Sequence, residues 1–174
     1  MPILRSYIID NYDTLPPVLI FKHANRYQWH ADDPLYDEQR TLSRLQIPYI
    51  KKQGYVNLRC VWTLGCPVEI HPFAEETAQT PDVDVSDKAR AGSFYKAAFE
   101  VLFPGVPIPS EVGVSCCAEF AATNAKIWER PRSDYERYRQ WLIDTTLPDN
   151  LSGRILEYSW HSKYNALAAL KPCC

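Results

Sequence analysis

Glycine is scarce in this sequence, 6 of 174 residues, while proline is frequent at 14. That balance suits a chain with fixed turns and argues against long flexible linkers. Charge of one sign is lacking too: 19 Lys and Arg face 21 Asp and Glu, for a formal net charge of −2. A chain without clustered basic residues has no electrostatic footprint for nucleic acid, so no nucleic-acid partner is expected. No window approaches the roughly 18–20 apolar residues of a membrane span. The opening "MPILRSYIIDNY" lacks the basic start and unbroken apolar centre of a signal peptide. As written, the chain reads as cytoplasmic, with a secretory route open if a longer N-terminus exists. No internal repeat and no C-x-x-C pair occur, so a metal is not assigned and no cofactor is specified.

The six cysteines fall as Cys60 and Cys66, the doublet Cys116–Cys117, and the terminal doublet Cys173–Cys174. Free buried thiols, two disulfides joining the first pair to the middle doublet, and a metal site all remain open.

What is present is enough apolar mass for one core. Hydrophobic residues make up 46 % and aromatics 13 % of a length that fits a single domain over residues 1–174. Helical spacing of Ile3, Tyr7 and Ile8/Ile9 predicts a first helix. "VLIF" at 18–21 reads as a short strand buried on both faces, as in the middle of a parallel sheet. A helix is expected from about Leu35–Asp37 through "DEQRTLSRLQ", stopped by Pro48. "GYVNLRCVW" alternates as a strand with one polar face. Residues 64–85 read as a long surface loop. Next comes a helix whose buried stripe is predicted as Phe94, Ala97, Ala98, Val101 and Leu102. "EVGVSCCAEFAAT" reads as a strand or strand pair. Ser133 and Glu136 have the spacing of a capping box, and a last helix is expected from about Ser152. Alternating helices and strands predict an α/β domain with a three-layer build, a mostly parallel or mixed central sheet flanked by helices.

Candidate site residues gather first in "FKHANRYQWHADD", at the carboxyl end of "VLIF", where open α/β sheets bind ligands. His23 and His30 are candidates for ligand contact or proton transfer. Trp29 offers a face for stacking on a ring, Arg26 and Arg59 offer forks for an anionic group, and Asp32 completes the ligand-binding set. Glu119 is a candidate general base. Glu157 and His161, four apart on the last predicted helix, share a face and are candidates for a carboxylate-oriented imidazole.

"SYIIDNYDTLP", "GYVNLRCVWTLGCP", "SCCAEF" and "RPRSDYERYRQWLIDTTLPDNLSGRILEYSWH" resemble a fungal family known only as a domain of unknown function, number three-four-three-one. The resemblance runs from about residue 6 to residue 162. Members look like relatives of nucleotide-sugar transferases of the A-type fold, which implies group transfer to a small molecule or a role in specialised metabolism. Relative to that pattern the chain lacks the first strand. Where the metal-dependent transferases carry an Asp-x-Asp pair, it reads "KHANRYQWH". Asp32 and Asp33 come later and, being adjacent, point to opposite sides. The resemblance therefore implies a transferase-like enzyme without that metal motif. The alternatives are a non-catalytic binding module that keeps the fold and a tRNA-dependent peptide-bond former. Oligomeric state is left open.

Overall fold

The computed structural model describes residues 2–59, 68–73, 87–115 and 117–159. In chain order its elements are helix α1 (Pro2–Asp10), a 3-10 turn (Tyr12–Thr14), strand β1 (Val18–Phe21), helices α2 (Glu38–Ser43) and α3 (Ile47–Gln53), strand β2 (Tyr55–Asn57), helix α4 (Asp87–Leu102), strand β3 (Phe120–Thr123), and helices α5 (Asn124–Trp128), α6 (Arg132–Asp144) and α7 (Asp149–Tyr158).

The sheet is small and wholly antiparallel, which corrects the expected mostly parallel or mixed arrangement. Its order is β1-β3-β2, with Val18 opposite Thr123, Phe21 opposite Phe120, and Tyr55 opposite Ala122. The central position belongs to β3, buried at all four residues, and not to "VLIF". β1 is an edge strand whose Ile20 is 41 % exposed. An unbroken apolar run reads as two-sided burial. Here its second face lines an open groove.

Local chemistry explains the helix bounds. The Asp37 carboxylate accepts from Gln39 N–H at 3.0 Å and caps α2. Pro48 does not end that helix. It sits in the first turn of α3, where its missing N–H has no intrahelical partner to lose. α3 stops at Gly54, whose φ of 76° suits glycine and whose N–H reaches Ile50 O at 2.8 Å. α5 is capped by Thr123, accepting from Lys126 N–H at 3.2 Å. The Ser133/Glu136 pair caps nothing, because α6 already begins at Arg132 behind Pro131.

The helix α3 lies against all three strands, while α1 packs on α6 and α4 packs on both α6 and α7. Between these helices runs a chain of rings. Tyr95 meets Phe99 (centroids 5.8 Å apart), Phe99 meets Phe103 (4.7 Å), Phe103 meets Tyr138 (5.4 Å), and Tyr138 meets Tyr135 (6.0 Å). Of the stretch read as a surface loop, residues 68–73 are described. There Ile70 bridges to Val112 and is fully buried, so this part is pinned to the body of the protein. Among the described residues no helix is long and apolar enough to cross a membrane.

Candidate functional site

The segment after β1 is not a slack loop. Arg26 to Glu38 folds back on itself: Gln28 N–H donates to Tyr36 O at 3.1 Å, Glu38 N–H donates to Arg26 O at 2.9 Å, and Tyr27 bridges to Asp37. Asp33 holds the tip, its Oδ2 accepting from Leu35 N–H at 2.9 Å. The turn places Tyr36 at a φ of 57°. This fold-back sets Trp29 and His30 above the strand end and brings Glu38 beside Lys22. From the other side, Cys117 and Ala118 adopt consecutive left-handed conformations, φ 85° and 49°. Such backbone strain in residues other than glycine concentrates at functional sites. It delivers Glu119 to the start of β3, facing the same point.

The result is a buried cluster. Lys22 Nζ lies between two carboxylates, bonded to Glu38 Oε2 and 3.2 Å from Glu119 Oε2. His30 Nδ1 is 3.6 Å from Glu119 Oε1. Among the described residues neither of these last two atoms has a hydrogen-bond partner, and both are sealed from solvent. The His23 and His30 rings lie 4.8 Å apart. His23 is exposed, and its Nε2 is 3.2 Å from Cys117 O. A carbonyl can only accept, so this contact calls for the tautomer with the proton on Nε2, which leaves Nδ1 as the lone-pair donor of the neutral ring. Burial holds the His30 imidazole below its ordinary pKa, against the opposing pull of Glu119.

Around this centre, Arg59 Nε lies 3.6 Å from Asp32 Oδ1, and the Arg59 guanidinium sits 5.6 Å over the Trp29 ring. Trp29 is 67 % exposed and meets His30 edge-on, so it is a surface face and not a core plug. Asp32 and Asp33 diverge, one toward Arg59 and the other into the turn. Arg26 lies outside the cluster, both arms of its fork taken by Asp37 at 3.0 and 2.8 Å. That pair holds the Asp37 carboxyl below the usual carboxylate range. His161 lies outside the described residues.

Glu157 is buried, but its carboxylate is already engaged. Oε1 accepts from Cys117 N–H and Oε2 from Arg154 at 3.0 Å. It pins the strained turn whose carbonyl orients His23. Glu157→Ala is expected to cost about 1.5–3 kcal/mol, the range for a hydrogen bond to a charged group, measured by urea unfolding. Glu157→Gln, which keeps an acceptor, is expected to lose less.

Two members of the cluster escape the sequence reading. Lys22 looks like an ordinary polar residue closing a strand, and Glu38 like a first-turn acid placed for the helix dipole. Only the fold-back brings them together. Cys117 is disulfide-bonded, which removes the free-thiol reading for that residue. The other five cysteines lie outside the described residues.

A groove of about 720 Å³ runs along the outer edge of β1 and meets the cluster at Lys22 and His23. Its walls are mostly apolar, with Tyr7, Val18, Ile20 and Phe21 among them. Pockets of roughly 300–1,000 Å³ hold small organic molecules.

No curated protein and no solved structure matches the chain. A family model does match, over residues 2–172, nearly the whole length. The chain belongs to the family described as "Protein of unknown function (DUF3431)".

Proposed function

We propose that this protein is a group-transfer enzyme acting on a small molecule, glycosyltransferase-like in placing its chemistry at a strand end. In this reading His23, His30 and Glu119 carry the chemistry. Trp29 and Arg59 hold the ring and anionic portion of the ligand, and the β1 groove takes its apolar part. One observation carries the reading: His30 Nδ1 and Glu119 Oε1 face each other, buried, with no hydrogen bond made by either among the described residues. Leaving such atoms unsatisfied costs about 1–3 kcal/mol each. Two such atoms, in the cluster that the groove reaches at Lys22 and His23, support the reading that something binds there.

The specialised-metabolite and transferase variants of this reading share one test. A panel of nucleotide sugars, with and without manganese, is expected to raise the melting temperature, since a ligand that binds only the folded state stabilises it. Trp29→Ala is expected to reduce the shift for the same donor by the loss of a stacking face. No shift with any donor would leave the non-catalytic binding module as the better description.

A further inference from the structure

We propose that His23, His30 and Glu119 form a binding site for one divalent transition-metal ion of the zinc class, open toward the β1 groove. The proposal deepens the group-transfer reading. It rests on that reading only for what the ion would do, not for whether it binds.

The donor geometry comes first. One ring nitrogen from each histidine and one Glu119 oxygen all lie within 4.8 Å of one another. Donors bound tetrahedrally to Zn²⁺ at about 2.0–2.1 Å sit roughly 3.3 Å apart. His30 Nδ1 and Glu119 Oε1, at 3.6 Å, are nearly there already. His23 is on the exposed side and needs the larger adjustment, which an exposed side chain can make.

Satisfaction of the donors comes second. His30 and Glu119 are 5 % and 4 % exposed, and their facing atoms have no other partner among the described residues. Glu119 Oε2 is tied to Lys22, which leaves Oε1 as a single donor and fixes its direction. The His23 nitrogen opposite its lone pair is held by the Cys117 carbonyl. Metal-binding histidines show this same outer hydrogen bond, which sets the ring and the tautomer.

Charge comes third. Arg26 pairs with Asp37, Arg40 with Asp33, and Arg59 with Asp32. In the centre, two carboxylates, Glu38 and Glu119, share the single ammonium of Lys22. Lys22, Glu38 and Glu119 together carry a formal charge of −1, on side chains 2–8 % exposed. A cation bound at the open side answers that excess. Two imidazoles with one carboxylate favour zinc, cobalt, nickel, copper or iron over magnesium and calcium, which prefer oxygen. Three protein donors with an open fourth position is the pattern of a reactive site and not of a structural one. Such an ion would offer a positive charge where the resemblance shows no Asp-x-Asp pair.

The test uses the full chain stripped with a chelator and titrated with Zn²⁺ by calorimetry, and with Co²⁺ by visible absorption. Expected are one ion per chain and a cobalt spectrum of nitrogen and oxygen ligation without sulfur charge transfer. His23→Ala changes an exposed residue and leaves the fold in place. It is expected to weaken binding about 100-fold or more, at or beyond the loss seen when a supporting residue is removed. Glu119→Gln, isosteric and still able to accept from Lys22, is expected to do the same. Unchanged affinity in both variants, a sulfur-ligated spectrum, or no stoichiometric binding at micromolar Zn²⁺ would overturn the site. Donor binding that persists in stripped protein would keep the group-transfer reading and leave the metal to these criteria. Tight Zn²⁺ binding without any donor response would do the reverse.

Discussion

Lys22→Met is expected to destabilise the metal-free protein by about 3–5 kcal/mol, the loss found when a buried charge is left without its partner. Lys22 is, among the described residues, the cation shared by Glu38 and Glu119, and its side chain is 8 % exposed. Methionine keeps the length and apolar stem but removes the charge, so two buried carboxylates confront each other with nothing between them. Glu119→Gln makes the opposite change. It removes the uncompensated negative charge, leaves the Lys22–Glu38 pair, and keeps an oxygen for Lys22. Chelator-treated Glu119→Gln is therefore expected to match or exceed the wild type in stability while losing ligand and metal binding, a trade-off typical of functional sites. Urea denaturation of both variants, with the wild type as reference, measures the pair. Equal losses in both would show that packing and not charge sets the cost. A Lys22→Met loss below about 1 kcal/mol, the size of an exposed pair, would show that water reaches the cluster.

Part of this candidate site was legible in the sequence because its clues are local. His23 and His30 follow an apolar strand directly, and Glu119 precedes the start of another. These placements need only chain order and the rule that ligands gather at strand ends. The partners that set the electrostatics are not local. Glu38 reaches Lys22 across sixteen positions through the fold-back, and Glu157 reaches Cys117 across forty. No spacing rule encodes either contact. Glu157 drew attention as a helical neighbour of His161, whereas its carboxylate is spent on the Cys117 turn and on Arg154. Asp32 and Asp33 show the converse. Adjacency alone predicts that they diverge, and they do.

The sheet illustrates a different limit. β-branched and aromatic residues mark strands well, so "VLIF" and "GYVN" were readable as strands. The central strand, "FAAT", falls inside the stretch read as a strand or strand pair, but its two alanines have poor strand propensity and gave no sign that it is central. Both alanines are fully buried, and α3 packs against the strand, which is a tertiary fact. Direction follows from the connections. β1 and β2 run the same way, but β3 comes between them and opposes both. Alternation of helices and strands could not reveal that order.

Phe99→Ala is expected to cost about 3–5 kcal/mol, the range for truncating a buried ring. Phe99 is 2 % exposed and stands between Tyr95 and Phe103 in the ring chain that joins α4 to α6. Removing it opens a cavity bounded by rigid rings, which collapse poorly around a void. The stripe expected from the sequence puts Phe94, Ala97 and Val101 on the buried face, but all three are exposed, Phe94 at 43 % and Val101 at 53 %. The observed stripe is Ala91, Tyr95, Ala98, Phe99 and Leu102. Both stripes follow helical spacing; an aromatic at 94 and another at 95 give periodicity two nearly equal solutions, one residue apart. Packing against α6 and α7 selects the second. Phe94→Ala is therefore expected to change stability by less than about 0.5 kcal/mol, as surface substitutions do. Thermal and urea unfolding of the two alanine variants separates the stripes directly. A large loss at Phe94 with a small one at Phe99 would rotate α4 by one residue and, with it, the packing of α7, whose Glu157 holds the turn under the site.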